Sequence, residues 1–204
     1  MGNIMKKSSN KVIAAFDFDG TLTTRDTFPA FIWFACGWRR FILGFLLYSP
    51  LLILMKLRLR SNGEVKQRLF SHFFKGWDYT RFQAAGVDFS QKIESIRNEP
   101  MIQQLEQHLQ QGHTVYIITG SILEWVQPWC EKLGVHAVLA TLVEVDSGNM
   151  ITGRFKTPNC YGQQKVERLL QLQPARGEYT LHAYGDSRGD KELLAMADVA
   201  TRCR

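Results

Sequence analysis

Asp17 and Asp19 stand two positions apart in the run Asp17-Phe18-Asp19-Gly20-Thr21. Carboxylates that close repel each other unless a cation lies between them or one keeps its proton. Both arrangements serve phosphoryl transfer, and Gly20 permits the sharp turn that would swing Asp19 back beside Asp17. A second acidic pair, Asp186 and Asp190, lies in Gly185-Asp186-Ser187-Arg188-Gly189-Asp190. Hard oxygen donors of this kind suit Mg²⁺, which also takes waters and a phosphate oxygen. Thr119, with the backbone amides that follow it from Gly120, can donate hydrogen bonds to a phosphoryl group at a strand-to-helix turn. Lys165, 21 residues before Asp186, is the cation placed to balance the four acids. Arg188 reads as an ion-pair partner of Asp190, with contact to a substrate phosphate as the alternative.

These residues need elements that bring them together. Val12-Ile13-Ala14-Ala15-Phe16 is a continuous apolar run ending at Asp17, which reads as a strand buried on both faces. Thr114 to Ile118 repeats the pattern and stops at Thr119-Gly120, and Tyr179 to Tyr184 repeats it again before Gly185-Asp186. Helical material follows each loop: the spacing predicts helices over Met101–Gln111, Gly162–Leu172 and Gly189–Ala197. Val143 to Phe155, with Asp146-Ser147-Gly148-Asn149 inside it, predicts a β-hairpin. The expected fold is α/β, a Rossmann-like parallel sheet whose ligands bind beyond the carboxyl ends of the strands. The stretch 28–98 breaks the strand-loop-helix rhythm and reads as an inserted helical cap, leaving 1–27 and 99–204 as the catalytic core. The last motif lies close to Arg204, so a final sheet strand must be short.

With these residues in this order, the sequence resembles the haloacid dehalogenase-like phosphatases: motif one at Asp17-Phe18-Asp19-Gly20-Thr21-Leu22, motif two at Thr119, motif three at Lys165 and motif four at Gly185 to Asp190. The resemblance implies a Mg²⁺-dependent phosphomonoester hydrolase. In it Asp17 would form an aspartyl-phosphate, and Asp19 would protonate the leaving group and then deprotonate the attacking water. It further implies Mg²⁺ held by Asp17, the Asp19 carbonyl oxygen and Asp186, with Asp190 in support, and phosphate oxygens bound by Thr119, Gly120 and Lys165. A helical cap between motifs one and two is the arrangement of the branch containing phosphoserine phosphatase, in which an acid nine residues after the nucleophile contacts the substrate. Asp26 occupies that spacing here. The chain is also similar to phosphatidylglycerophosphatase C at Ile117-Ile118-Thr119-Gly120-Ser121 and at Cys160-Tyr161-Gly162-Gln163-Gln164-Lys165-Val166.

Charge localises the substrate question. The net charge is +6, and residues 27–63 supply +5 of it through Arg39, Arg40, Lys56, Arg58 and Arg60, with no acid among them. Eight aromatic residues share that window, and Phe41 to Met55 is a charge-free run of 15 residues. A nucleic-acid binder spreads its cations over a face or along a groove, so this pattern excludes that class and favours a membrane surface. As a helix the run reaches about 22 Å against about 30 Å of hydrocarbon. A single crossing would also separate Asp17 from Thr119, Lys165 and Asp186, so the segment 28–60 reads as two short helices dipping into the cytoplasmic leaflet. The expected location is cytoplasmic, at the inner membrane face, and the expected substrate is a lipid phosphate such as phosphatidylglycerophosphate.

Lys6, Lys7 and Lys11 precede only about five apolar residues, too few for a signal-peptide core. Cys36, Cys130, Cys160 and Cys203 show no metal-ligand spacing and read as free structural thiols, and the five histidines read as structural or exposed. The alternative is a soluble phosphatase of phosphoserine type whose apolar cap is buried in protein. A phospho-Asp receiver shares the acids, the Thr and the Lys, but it is a shorter module without a cap, and an acid at Asp19 favours rapid hydrolysis over a long-lived acyl phosphate. A non-catalytic scaffold on this fold would not need the complete set of acids and lysine.

Overall fold

Ile13 to Phe16 are wholly inaccessible to solvent, as an uninterrupted apolar strand requires when both of its faces are covered. The structure is a computed structural model describing residues 11–203; Lys6 and Lys7 lie outside the described residues. The elements follow in chain order: β1 (Val12–Phe16), α1 (Thr27–Cys36), α2 (Trp38–Lys56), α3 (Asn62–Phe74), α4 (Tyr79–Ile93), α5 (Glu99–Gln110), β2 (Thr114–Ile122), α6 (Leu123–Glu131), β3 (Ala137–Thr141), β4 (Val143–Val145), β5 (Ile151–Phe155), α7 (Gln163–Leu172), β6 (Thr180–Gly185), α8 (Lys191–Met196) and β7 (Val199–Arg202). Five strands form one parallel sheet in the order β3-β2-β1-β6-β7. The order reverses between β1 and β6, so the two acidic loops open side by side at the crevice where such sheets bind ligands.

Alternate residues of β1 serve opposite layers. Ala14 and Phe16 join a core with Val115, Ile117 and the inserted helices, while Ile13 and Ala15 join Tyr116, Ile118, Leu181 and Leu193 on the other face. The structure agrees with the α/β expectation and with the hairpin, which forms as antiparallel β4 and β5. It extends β2 four residues past Ile118, to Ile122, and makes β7 a strand of four residues. The four cysteines are free. His108 is buried, its Nδ1 lying 2.7 Å from His113 Nδ1 and its Nε2 2.8 Å from the Tyr184 hydroxyl.

Between β1 and β2 the chain runs through α1 to α5, and α1, α3 and α4 each start on a side-chain cap: Asp26 accepts from Phe28 N, Ser61 from Glu64 N and Asp78 from Arg81 N. The expectation of two short helices is corrected here. α1 has 10 residues and α2 has 19, and the chain turns between them at Gly37. Pro50 removes the amide that would bond the Leu46 carbonyl, yet α2 continues, because Ser49 Oγ donates to that carbonyl at 2.8 Å. α2 is therefore about 28 Å long, and by length and composition it could cross a membrane.

One side of α2 rests on protein. At Gly44 a Cβ would lie 2.2 Å from Phe73 Cζ of α3, so only glycine lets the two helices approach this closely. Phe45, Tyr48, Leu51, Leu52 and Met55 pack inward beside it. The other side is bare: Leu43, Leu46 and Leu47 are 67%, 64% and 66% exposed, with Ile42, Ile53 and the nearby Trp33, Phe34 and Trp38 also exposed.

Candidate active site

Asp17, at the tip of β1, is hydrogen-bonded through its amide to the Tyr184 carbonyl of β6 at 2.9 Å, which places it at the reversal of strand order. Its Oδ1 lies 2.6 Å from Lys165 Nζ, and the same ammonium lies 2.5 Å from Asp190 Oδ1. All three residues are at most 5% exposed. Burial would lower the lysine's proton affinity, but the two carboxylates outweigh it and hold the ammonium above its ordinary value. Asp190 Oδ2 accepts from the amide and hydroxyl of Ser187, at 2.9 and 2.8 Å. The Asp190–Arg188 pair expected from sequence is absent: Lys165 and Ser187 occupy both Asp190 oxygens, and Arg188 makes no ion pair among the described residues.

Asp17, Asp186 and Asp190 each bring a carboxylate oxygen within 4.8 Å of the others. Burial pushes the Asp17 carboxyl up to about 7, against the pull of Lys165 and with the Asp190 charge adding to it. Asp186 is raised too, by burial and then by Asp190, and its Oδ1 is buried with no hydrogen-bond partner. An orphaned carboxylate oxygen beside two further acids, with one ammonium among them, lacks a positive charge on the Asp186 side. Hard oxygen donors in that state fit Mg²⁺. Gly20 makes the arrangement possible: its φ is +78°, and a Cβ there would fall 2.4 Å from Asp186 Oδ2.

The side chain of Asp19 does not join this group. Its Oδ1 accepts from the amide and hydroxyl of Thr27, at 2.7 and 2.6 Å, and its Oδ2 accepts from Ser121 Oγ. The amide at the start of α1 and the two hydroxyls outcompete a second carboxylate for it, and Trp125 Nε1 fixes Thr27 Oγ1 at 3.0 Å. Asp19 nonetheless lines the same cleft as Asp17, Thr119, Gly120, Lys165 and Asp186, a space of about 400 Å³. Thr119 Oγ1 accepts from Ser121 N at 2.9 Å, which leaves its own O–H to donate. Asp26 is exposed at the cleft wall and caps α1.

Residues from the inserted helices close the site, and sequence reasoning missed them. Lys66 Nζ donates to the Gly120 carbonyl at 2.9 Å and Asn62 Oδ1 accepts from Asn159 at 2.9 Å, both from the first turns of α3. Their spacing of four residues in Asn62-Gly63-Glu64-Val65-Lys66 is the available signal, because it puts both on one helix face. Thr27 and Ser121 carried no signal of their own, since a lone hydroxyl reveals its partner only in three dimensions.

The family model of the haloacid dehalogenase-like hydrolases matches residues 14–195. Protein CicA of Caulobacter vibrioides is 30% identical over 188 residues, covering 92% of this chain and 83% of that protein. A protein of unknown function from Bordetella pertussis Tohama I superposes with a TM-score of 0.77 at 20% identity, over 91% of this chain and 86% of the other. A phosphoserine phosphatase determined as a phospho-aspartyl intermediate analogue superposes at 0.65 with 17% identity, over 94% and 86%.

Proposed function

The chain belongs to the haloacid dehalogenase-like hydrolases, and from that premise we propose that it hydrolyses a phosphate monoester through Asp17, with a lipid phosphate lying in an anionic leaflet as its substrate. The observation that carries the chemistry is the buried Asp17–Lys165–Asp190 bridge set beside the orphaned oxygen of Asp186. Asp17 attacks phosphorus, the bond to the leaving alkoxide breaks, and Asp19, oriented by Thr27 and Ser121, supplies the proton. Asp19 then takes a proton from water, which attacks the aspartyl-phosphate and frees Asp17. Thr119, the Gly120 amide and Lys165 hold the phosphoryl oxygens. Mg²⁺, held by Asp17, Asp186 and the Asp19 carbonyl with Asp190 in support, would supply the charge that keeps Asp17 ionised and offsets the phosphoryl oxygens.

The substrate class rests on α1 and α2. An exposed leucine face flanked by Arg39 and Arg40 at one end and by Lys56, Arg58 and Arg60 at the other fits a helix lying in the headgroup layer of an anionic membrane. Because its other face is seated on α3, α2 lies along the leaflet and does not span it. The cytoplasmic leaflet, rich in anionic lipid, is the proposed location.

Phosphate release from phosphatidylglycerophosphate, lysophosphatidate and phosphoserine, measured with Mg²⁺ and with a chelator, tests the reading. Mg²⁺-dependent release from the lipids, abolished in Asp17→Asn with the fold intact, is expected. Preference for phosphoserine would overturn the lipid reading, and near-native activity of Asp17→Asn would overturn the chemistry.

A further inference from the structure

Three of the five histidines meet on the face of the sheet that α5 covers, and none of the three lines the catalytic cleft. His108 lies in the last turn of α5. Gly112, at φ +71°, turns the chain there, and His113 N donates to the His108 carbonyl at 3.0 Å, so the turn folds the second ring back onto the first. β6 brings His182 beside them, in register with Ala14 of β1, whose small side chain leaves the rings room.

The rings are spaced as ligands of one ion. Their centres lie 5.0 Å apart for His108 and His113, 5.1 Å for His108 and His182, and 6.4 Å for His113 and His182. An imidazole bound to tetrahedral Zn²⁺ at about 2.0–2.1 Å has its centre about 3.2 Å from the ion, so two such rings stand about 5.2 Å apart. Two of the three separations already match, and the third closes when the half-buried His182 ring moves by about 1 Å.

The donor atoms agree with the spacing. His108 Nε2 lies 2.8 Å from the Tyr184 hydroxyl, the kind of outer partner that orients a ligating imidazole, and this leaves His108 Nδ1 facing His113 Nδ1 at 2.7 Å. Two ring nitrogens so close share one proton, whose place an ion can take. His182 makes no hydrogen bond through its ring among the described residues. Burial, and then the neighbouring His182 and His113, push His108 down to about 4, so at neutral pH it is the uncharged imidazole that a metal requires.

We infer that His108, His113 and His182 form a second metal site, which takes a borderline divalent ion such as Zn²⁺ and is separate from the carboxylate site of the cleft. Imidazole nitrogens suit Zn²⁺, whereas the acids of the cleft suit Mg²⁺. An ion held there ties the end of α5 and the start of β2 to β6, the strand that leads to Asp186. Its role is to brace the core, and it does not depend on the phosphatase reading.

The test uses the full chain without a histidine tag, stripped with a chelator and then given excess Mg²⁺ to fill the acidic cleft. Zn²⁺ is titrated by calorimetry into the wild type, His113→Ala, His182→Ala and Asp186→Asn, and urea midpoints in chelator check that each variant folds. The wild type is expected to bind one Zn²⁺ per chain, each histidine variant to bind it at least tenfold more weakly, and Asp186→Asn to bind it as the wild type does. Co²⁺ in place of Zn²⁺ should give the strong visible absorption of a four-coordinate nitrogen site, which six-coordinate oxygen ligands do not give. Absence of Zn²⁺ binding overturns the inference. So does binding that survives in both histidine variants or disappears in Asp186→Asn, since either assigns the ion to the acids. Loss in His113→Ala alone overturns it too, because His182 is then no ligand. The Co²⁺ spectrum needs no variant, so a six-coordinate spectrum overturns the site even where a histidine variant fails to fold.

Discussion

Replacing Leu43, Leu46 and Leu47 together by serine separates a helix that meets lipid from one that is merely exposed. Full burial of a leucine is worth about 1.5–3 kcal/mol, and about two thirds of each of these side chains is open to solvent. The three together carry roughly 3–6 kcal/mol if wholly immersed, and about half of that for a helix lying in the headgroup layer. A loss of about 1.5–3 kcal/mol corresponds to a drop in vesicle partitioning of roughly 10- to 150-fold. Stability in solution should hardly move, because the substituted atoms face away from α3. Co-sedimentation with vesicles containing anionic lipid measures the partitioning, and urea unfolding measures the stability. The reasoning is refuted if the variant binds vesicles as the wild type does, or if its unfolding midpoint collapses, which would mean that these leucines cover protein.

Lys165→Met leaves Asp17 and Asp190 buried without their ammonium, and should destabilise the protein by about 3–5 kcal/mol in urea titrations at neutral pH; an unchanged midpoint would refute the bridge. Gly20→Ala adds about 1–2 kcal/mol of backbone strain and sets a Cβ 2.4 Å from Asp186 Oδ2, so the Mg²⁺ concentration giving half-maximal thermal stabilisation should rise at least tenfold while the chain still folds. With a chelator present, stability should fall as pH rises from about 4 to about 7. The Asp17 carboxyl titrates near 7 when folded, above its ordinary 3.8, so across that window the native state holds the extra proton. The upper bound on the loss is about 4 kcal/mol. Mg²⁺ should flatten the slope, and urea midpoints at pH 5 and 7.5 check both.

Much of the core was legible because its signals are local. A strand buried on both faces reads as a run of apolar residues, and the loop after it reads as Asp-Gly or Thr-Gly; Asp17, Thr119, Lys165 and Asp186 converge where those loops predict. What failed was long-range competition for a polar group. Asp19 was expected beside Asp17, but the α1 amide and two hydroxyls take it, one of them 102 residues away at Ser121. Asp190 was expected to pair with its near neighbour Arg188, yet a lysine 25 residues off holds it. Pro50 ordinarily breaks a helix, and the hydroxyl that repairs α2 belongs to the residue before it. In each case the sequence supplies the group, and only the packing selects its partner.

α3 connects the two surfaces on which the functional reading depends. Its first turns present Asn62 and Lys66 to the Asn159 side chain and the Gly120 carbonyl, and its last turn presents Phe73 to the glycine of α2. The carbonyl that Lys66 holds belongs to the residue whose amide is assigned to the phosphoryl group, so the position of α3 bears directly on the phosphate cradle. A helix packed at one end against α2, whose other face is exposed, and at the other against that cradle cannot shift along its axis without moving both. The seat of α2 therefore bears on the proposed chemistry as well as on the proposed membrane location, since an insert displaced at a membrane surface would carry Lys66 off the Gly120 carbonyl.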